Sequence, residues 1–107
     1  MHDLQIKIRS AGHDYEGLSY ISDTPFVIID LKNLRSNSID TGNKTAWIQS
    51  GTTLGEVYNR IANKSKKLAF VAGIFTTVGF GGNFSGGGYG IMSRKFVLLL
   101  ITLLMLN

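Results

Sequence analysis

The sequence predicts an α+β fold of short strands around one clear helix. Three observations carry this. Leu4-Gln5-Ile6-Lys7-Ile8-Arg9 alternates apolar and polar residues, the period of a half-buried strand. Phe26-Val27-Ile28-Ile29-Asp30-Leu31 is a short apolar run rich in β-branched residues, which predicts a strand buried on both faces. Leu54, Val57, Tyr58, Ile61 and Ala62 recur at helical spacing on one face. A chain of 107 residues holds one domain at most, or a piece of one.

The remaining elements follow in order. Ser10 to Thr24 is rich in Gly, Ser, Asp and Tyr and is expected to be a loop. Asn33 to Asn43 is polar, with a turn at Gly42. Thr45-Ala46-Trp47-Ile48-Gln49 is a further strand, closed by Ser50-Gly51. Thr52 or Thr53 caps the helix, and Glu56 stands three residues after Thr53, the spacing of a capping box. Lys64, Lys66 and Lys67 lie at its end, where cations complement the helix dipole. Leu68 to Val71 is a short buried segment. From Gly73 to Gly90 the glycine density forbids assigning a helix or a strand. Phe96 to Leu106 has 11 residues and no charge, with neither a helical nor a strand period. A spanning helix needs about 20 apolar residues, so this run reaches roughly half a bilayer, and membrane contact through 96–106 is not the expected role.

Composition narrows the chemistry. Apolar residues make up 44% and charged residues 17%, enough to form a core. The chain has no Cys, which excludes disulfides, thiolate zinc sites and a cysteine nucleophile. The two His lack the spacing of a zinc finger or zincin helix, and His13, Asp14 and Glu16 in one loop do not dictate convergence, so no metal is expected. The net charge of +4 is uneven: residues 51–107 hold six bases against the single acid Glu56. Lys64, Lys66, Lys67, Arg94 and Lys95 accompany no nucleic-acid-binding motif, and nucleic acid is not an expected partner.

Eight of the 13 glycines lie between Gly73 and Gly90. Glycines admit positive φ and let a ligand touch the main chain, and successive N–H groups can form a nest for phosphate oxygens. The stretch is neither a P-loop nor a Rossmann fingerprint. The same glycines would also serve a tightly turned connector. A second glycine site, Arg9-Ser10-Ala11-Gly12-His13-Asp14-Tyr15-Glu16-Gly17, follows the first strand. Arg9 could pair with phosphate, and Ser10 and Gly12 could offer donors. Two small-residue loops at strand ends suit a dinucleotide better than one phosphate.

Arg9-Ser10-Ala11-Gly12-His13-Asp14-Tyr15-Glu16-Gly17-Leu18-Ser19-Tyr20 resembles the signature R-S-G-G-H-D-Y-E-G-x-S-Y of the plant berberine bridge enzyme-like flavoproteins. Residues 26–31 and 46–58 resemble the next two family blocks. Thr77-Val78-Gly79 with Gly81 to Gly90 resembles T-V-G-x-G-G-H-x-S-G-G-G-Y-G. Met92-Ser93-Arg94-Lys95-Phe96 resembles the block after it. The match is co-linear over residues 2–96.

The resemblance implies a partial FAD-binding domain of the p-cresol methylhydroxylase type over residues 1–96, with 97–107 an apolar tail unlike the family. It implies that Arg9, Ser10, Ala11, Gly12, Asp14 and Tyr15 wrap the FAD pyrophosphate. Thr77, Val78, Gly79, Gly82, Asn83, Ser85, Gly86 and Gly87 would form the second FAD-holding stretch. His13 matches the histidine bonded covalently to the flavin 8α-methyl, where an imidazole nitrogen attacks an electrophilic form of the ring. That bond anchors the flavin and raises its potential, favouring oxidation of an alcohol, sugar or alkaloid-type substrate. The flavin carries the redox chemistry and the protein positions it.

Three departures stand out. Phe75 occupies the place of the cysteine that gives many members a second link, so at most the His13 link remains. Ala11 replaces a glycine, at a cost of about 1 kcal/mol or more if that position needs positive φ. Asn83 replaces a histidine near the flavin. The resemblance also implies that the substrate domain and the catalytic base lie outside these residues. A truncated or mis-spliced product, inactive alone, is therefore expected. Family members usually enter the secretory pathway, but Met1 to Leu4 lack the features of a signal peptide. Sequons at Asn43, Asn63 and Asn83 are candidate glycan sites.

Overall fold

The computed structural model describes residues 4–96 and 103–105. Among the described residues, six short strands form three two-stranded sheets, with one helix after the fourth strand and two between the fifth and sixth. Strands β1 (Gln5–Arg9) and β2 (Phe26–Asp30) pair in parallel, with Ile6 opposite Val27 and Ile8 opposite Ile29. Parallel pairing needs a long crossover, which Ser10 to Pro25 supplies without a helix or strand of its own.

The face of this pair departs from expectation. β2 is buried on one side only: Val27 and Ile29 are 46% and 48% exposed. On β1 the apolar residues Ile6 and Ile8 are exposed, while Lys7 and Arg9 are the partly covered ones. The alternation is real, but among the described residues nothing packs on the apolar side. Lys7 instead donates to the Leu18 carbonyl at 2.6 Å, and Arg9 reaches Asp30.

β3 (Asn37–Asp40) and β4 (Thr45–Ile48) form an antiparallel hairpin. β3 lies in the segment expected to be a polar turn region. One buried apolar residue, Ile39, suffices to seat it. Helix α1 (Leu54–Lys64) begins at the expected cap, Thr53. The Thr53 amide and hydroxyl both donate to Glu56 Oε2, at 2.8 and 3.1 Å. Leu54, Val57 and Ile61 are buried and Tyr58 partly so, while Ala62 is exposed, so the apolar face is narrower than the spacing suggested.

β5 (Leu68–Phe70) pairs antiparallel with β6 (Leu103–Met105), so part of the apolar run without visible period is a strand. The rest of that run, 97–102 and 106, lies outside the described residues. Between them, α2 (Phe80–Ser85) sits inside the glycine-rich stretch and α3 (Ser93–Phe96) follows it. No helix among the described residues is long and apolar enough to cross a membrane.

The core gathers Ile39, Leu54, Val57, Ile61, Leu68, Phe70 and Phe80. Aromatic rings continue it outward: Tyr58 to Phe70 at 4.9 Å, Phe70 to Phe80 at 6.4 Å and Phe80 to Phe84 at 5.6 Å between centroids. This chain of rings ties α1 to the glycine-rich stretch.

Glu56 also accepts from Arg35, which first among its contacts holds its carboxyl below the usual range. Glu56→Ala is expected to cost about 1 kcal/mol at neutral pH. A depressed folded-state pKa stabilises above the ordinary carboxylate value and is lost as pH falls through the folded value. The gap between Glu56→Ala and the parent chain should therefore close in acid, as thermal unfolding across pH would show.

Candidate functional site

Three loops meet at the Ser50 carbonyl. Ser10 Oγ donates to it at 2.5 Å and the Gly81 amide at 3.2 Å. The first loop leaves β1, the second ends β4, and the third opens α2. Chain-end geometry explains the meeting. The amides of Leu54 and Gly55, unsatisfied within α1, donate at 2.9 Å to the carbonyls of Val78 and Thr76. The Phe80 amide donates back to the Thr52 carbonyl at 2.7 Å. The start of α1 is thus closed by the glycine-rich stretch and holds it in place.

The two glycine loops touch directly. His13 Nε2 lies 3.0 Å from Thr77 Oγ1 across 64 residues of sequence. Gly79 is buried against the first loop: a Cβ there would overlap Ser10 Oγ and lie 2.7 Å from the Ala11 nitrogen. Only a residue without a side chain permits this approach. Gly12 has φ +73°, the left-handed conformation that glycine adopts without steric cost. Ala11 does not share it, since Lys44 is the one described non-glycine residue with positive φ. The strain expected of Ala11 is therefore absent.

Other candidate residues are placed as follows. Arg9 Nη2 bonds Asp30 Oδ2 at 2.6 Å, which uses one of the five guanidinium N–H donors, and this bond leads the causes that lower the Asp30 pKa. Asp14 folds its own loop, accepting from the amides of Glu16 at 3.1 Å and Leu18 at 2.8 Å. Tyr15 is 96% exposed and meets none of the other candidates. Val78 packs against the core. Ser85 Oγ donates to the Gly81 carbonyl at 2.8 Å, inside α2. Asn83 buries an Nδ2 without a hydrogen-bond partner. Gly86 caps α2, and Gly87 turns the chain away with φ +88°. Phe75 is 68% exposed.

A cleft of about 730 Å³ opens beside the Ser50 junction. Ser10, Gly82 and Ser85 line it, and so do Ser50, Trp47 and Phe84, which the sequence did not single out. Ser50-Gly51 after a strand repeats the small-residue pattern of Ser10 and Gly12 after β1, a signal that could have found it. The cleft lies within the size range of ligand sites, with apolar walls and a few placed polar groups.

These features fit a dinucleotide cofactor. Open space surrounds Gly82, with no heavy atom within 4 Å of a Cβ built there. Ser10, Gly81, Gly82 and Ser85 bring small side chains and main chain to the cleft wall, the close backbone approach that a phosphate-bearing ligand requires.

Comparison with known proteins agrees. The family model described as an FAD binding domain matches residues 1–104. Berberine bridge enzyme-like 27 of Arabidopsis thaliana is 57% identical over 99 residues, covering 92% of this chain and 18% of its own. Reticuline oxidase of Eschscholzia californica is 60% identical over 93 residues, covering 87% and 17%. The structure of BBE-like #28 from Arabidopsis thaliana superposes with a TM-score of 0.87 at 56% identity, covering 92% of this chain and 20% of that one. The chain spans about a fifth of the length of these relatives. It belongs to the FAD binding domain family, among the berberine bridge enzyme-like flavoproteins.

Proposed function

We propose that this chain is the part of a flavin-dependent oxidoreductase that grips the FAD pyrophosphate and flavin, and that it does not turn over substrate alone. The observation that carries the reading is the convergence of the two glycine loops on Ser50, locked by the His13–Thr77 contact. Bound FAD supplies hydride acceptance from an alcohol, sugar or alkaloid-type substrate. The chain's own residues hold and orient it. Ser10 ties the first loop to Ser50, the Gly12 amide and the Thr77 hydroxyl offer donors, Gly79 keeps the loops in contact, and Gly82 leaves room for close approach. His13, exposed and held by Thr77, is the residue for a covalent flavin link. No residue of the chain is identifiable as the catalytic base.

Titration with FAD tests this reading. A ligand at about one hundred times its Kd stabilises the folded chain by about 2.7 kcal/mol, which in a domain this small raises the Tm by roughly 10 °C. An unchanged Tm, with no change in flavin fluorescence on adding the chain, would overturn it.

A further inference from the structure

We propose that Asn43, at the tip of the β3–β4 hairpin, is an N-glycan acceptor, taking oligosaccharide from a lipid-pyrophosphate donor. Of the three sequons, the fold presents this one best. Asp40 and Thr45 are paired at the hairpin's end, so the tip is residues 41–44. Both Asn43 and Thr45 are exposed. The turn is fixed by the Asp40 carboxylate, which accepts from the amides of Gly42 at 2.9 Å and Asn43 at 3.0 Å, and from Asn43 Nδ2 at 2.8 Å. Lys44, the middle residue of the sequon, has φ +54°, so the chain bends sharply between Asn43 and Thr45. Asn43 and Thr45 thus flank a tight, exposed turn, where a transferase can reach both the acceptor amide and the sequon hydroxyl.

Chemistry at Nδ2 is compatible with the turn. The amide carries two N–H groups, and Asp40 engages one. In transfer the Nδ2–C1 bond to the sugar forms and the C1–oxygen bond to the pyrophosphate breaks. One amide proton leaves with the lipid pyrophosphate. The other N–H remains to bond Asp40, so the folded turn survives modification.

The other sequons are held differently. Asn63 lies in the last turn of α1 and donates to Asn59 Oδ1 at 3.2 Å. Its sequon partner Ser65 is the C-cap, and the Ser65 hydroxyl accepts from the Lys67 amide at 3.2 Å. Presenting that sequon requires unwinding the helix end. Asn83 has its Nδ2 buried within α2, with no room for a sugar. The hairpin tip does not line the FAD cleft, so a glycan there leaves the cleft open.

The test places the full chain behind a cleavable signal sequence and translates it into endoplasmic-reticulum microsomes. The signal sequence supplies entry to the lumen, so the result turns on acceptor geometry. The parent chain should show a mobility shift that peptide N-glycosidase removes. Asn43→Gln and Thr45→Ala should each lose one glycan, and Thr45→Ser should keep it, which separates loss of the sequon from misfolding. A parent chain without a glycan, or an Asn43→Gln chain with the parent's glycan count, would overturn the proposal.

Discussion

Gly79→Val is expected to lower FAD affinity roughly ten- to hundredfold. Gly79 has φ −70° and ψ 130°, a conformation any residue adopts, so the whole cost is steric. The first added carbon overlaps Ser10 Oγ and lies 2.8 Å from Ser10 Cβ and 2.7 Å from the Ala11 nitrogen. Ser10 could swing aside, giving up its bond to the Ser50 carbonyl, worth about 0.5–1.5 kcal/mol. Ala11 contributes backbone and cannot rotate away, so the first loop must withdraw. Withdrawal parts His13 from Thr77 and opens the junction that positions the donors. Overpacking of this kind costs about 1–3 kcal/mol, and each 1.4 kcal/mol is tenfold in binding. Gly82→Ala is the matched control for folding. Its Cβ meets no heavy atom within 4 Å, and alanine gains up to about 1 kcal/mol over glycine inside a helix. Fluorescence titration and thermal unfolding of both variants separate a lost site from a lost fold. Parent-like affinity in Gly79→Val would show that loop contact is not needed for binding.

The parts of this fold that sequence exposes are those whose cause is local. α1 is legible because Thr53, Glu56 and the Leu54–Val57–Ile61 face act within a few residues of one another. β4 is legible as a strand, and β5 as a short buried segment whose strand pairing the sequence does not show. What is hidden depends on partners far along the chain. α2 carries three residues of high helix propensity cost or turn preference, Gly81, Gly82 and Asn83, and no propensity rule would choose it. It forms because Phe80 enters the core, Phe84 stacks on Phe80, and the amides of Phe80 and Gly81 are anchored on Thr52 and Ser50. The one-sided, partial cover of β2 has a related cause. A β-branched run shows that a strand wants cover on both faces, not that the cover is supplied. The same holds at the site. Each glycine loop is visible by composition, and the family pattern names both, but only the fold shows that they share Ser50. Arg9 shows a partner that composition could not name: Asp30, 21 residues away, takes one of its N–H donors.

His13→Ala is expected to abolish all acid-stable flavin, a complete loss rather than a partial one. The parent chain loaded with FAD should carry flavin absorbance into the pellet after acid precipitation. An imidazole fits this role by position. It is exposed rather than buried in the core, and its Nε2 is held 3.0 Å from Thr77 Oγ1. Donation by the Thr77 hydroxyl would fix a tautomer with the proton on Nδ1, and acceptance would fix the other, so this contact orients the ring and selects its free nitrogen. The completeness follows from composition. With no Cys in the chain, the second, cysteine-borne link that the family resemblance would put at Phe75 cannot form, and His13 is the position to which the resemblance assigns the bond. Non-covalent binding should survive in His13→Ala, because the Gly12 amide and the loop contacts at Gly79 and the Ser50 junction are untouched. Thr77→Val keeps the shape but removes the hydroxyl, so it should bind FAD and form the link more slowly. Flavin in the acid pellet of His13→Ala would place the bond on another residue. A parent chain that binds FAD but yields a colourless pellet would show that gripping and bonding are separable, and that the loops do the first without the second.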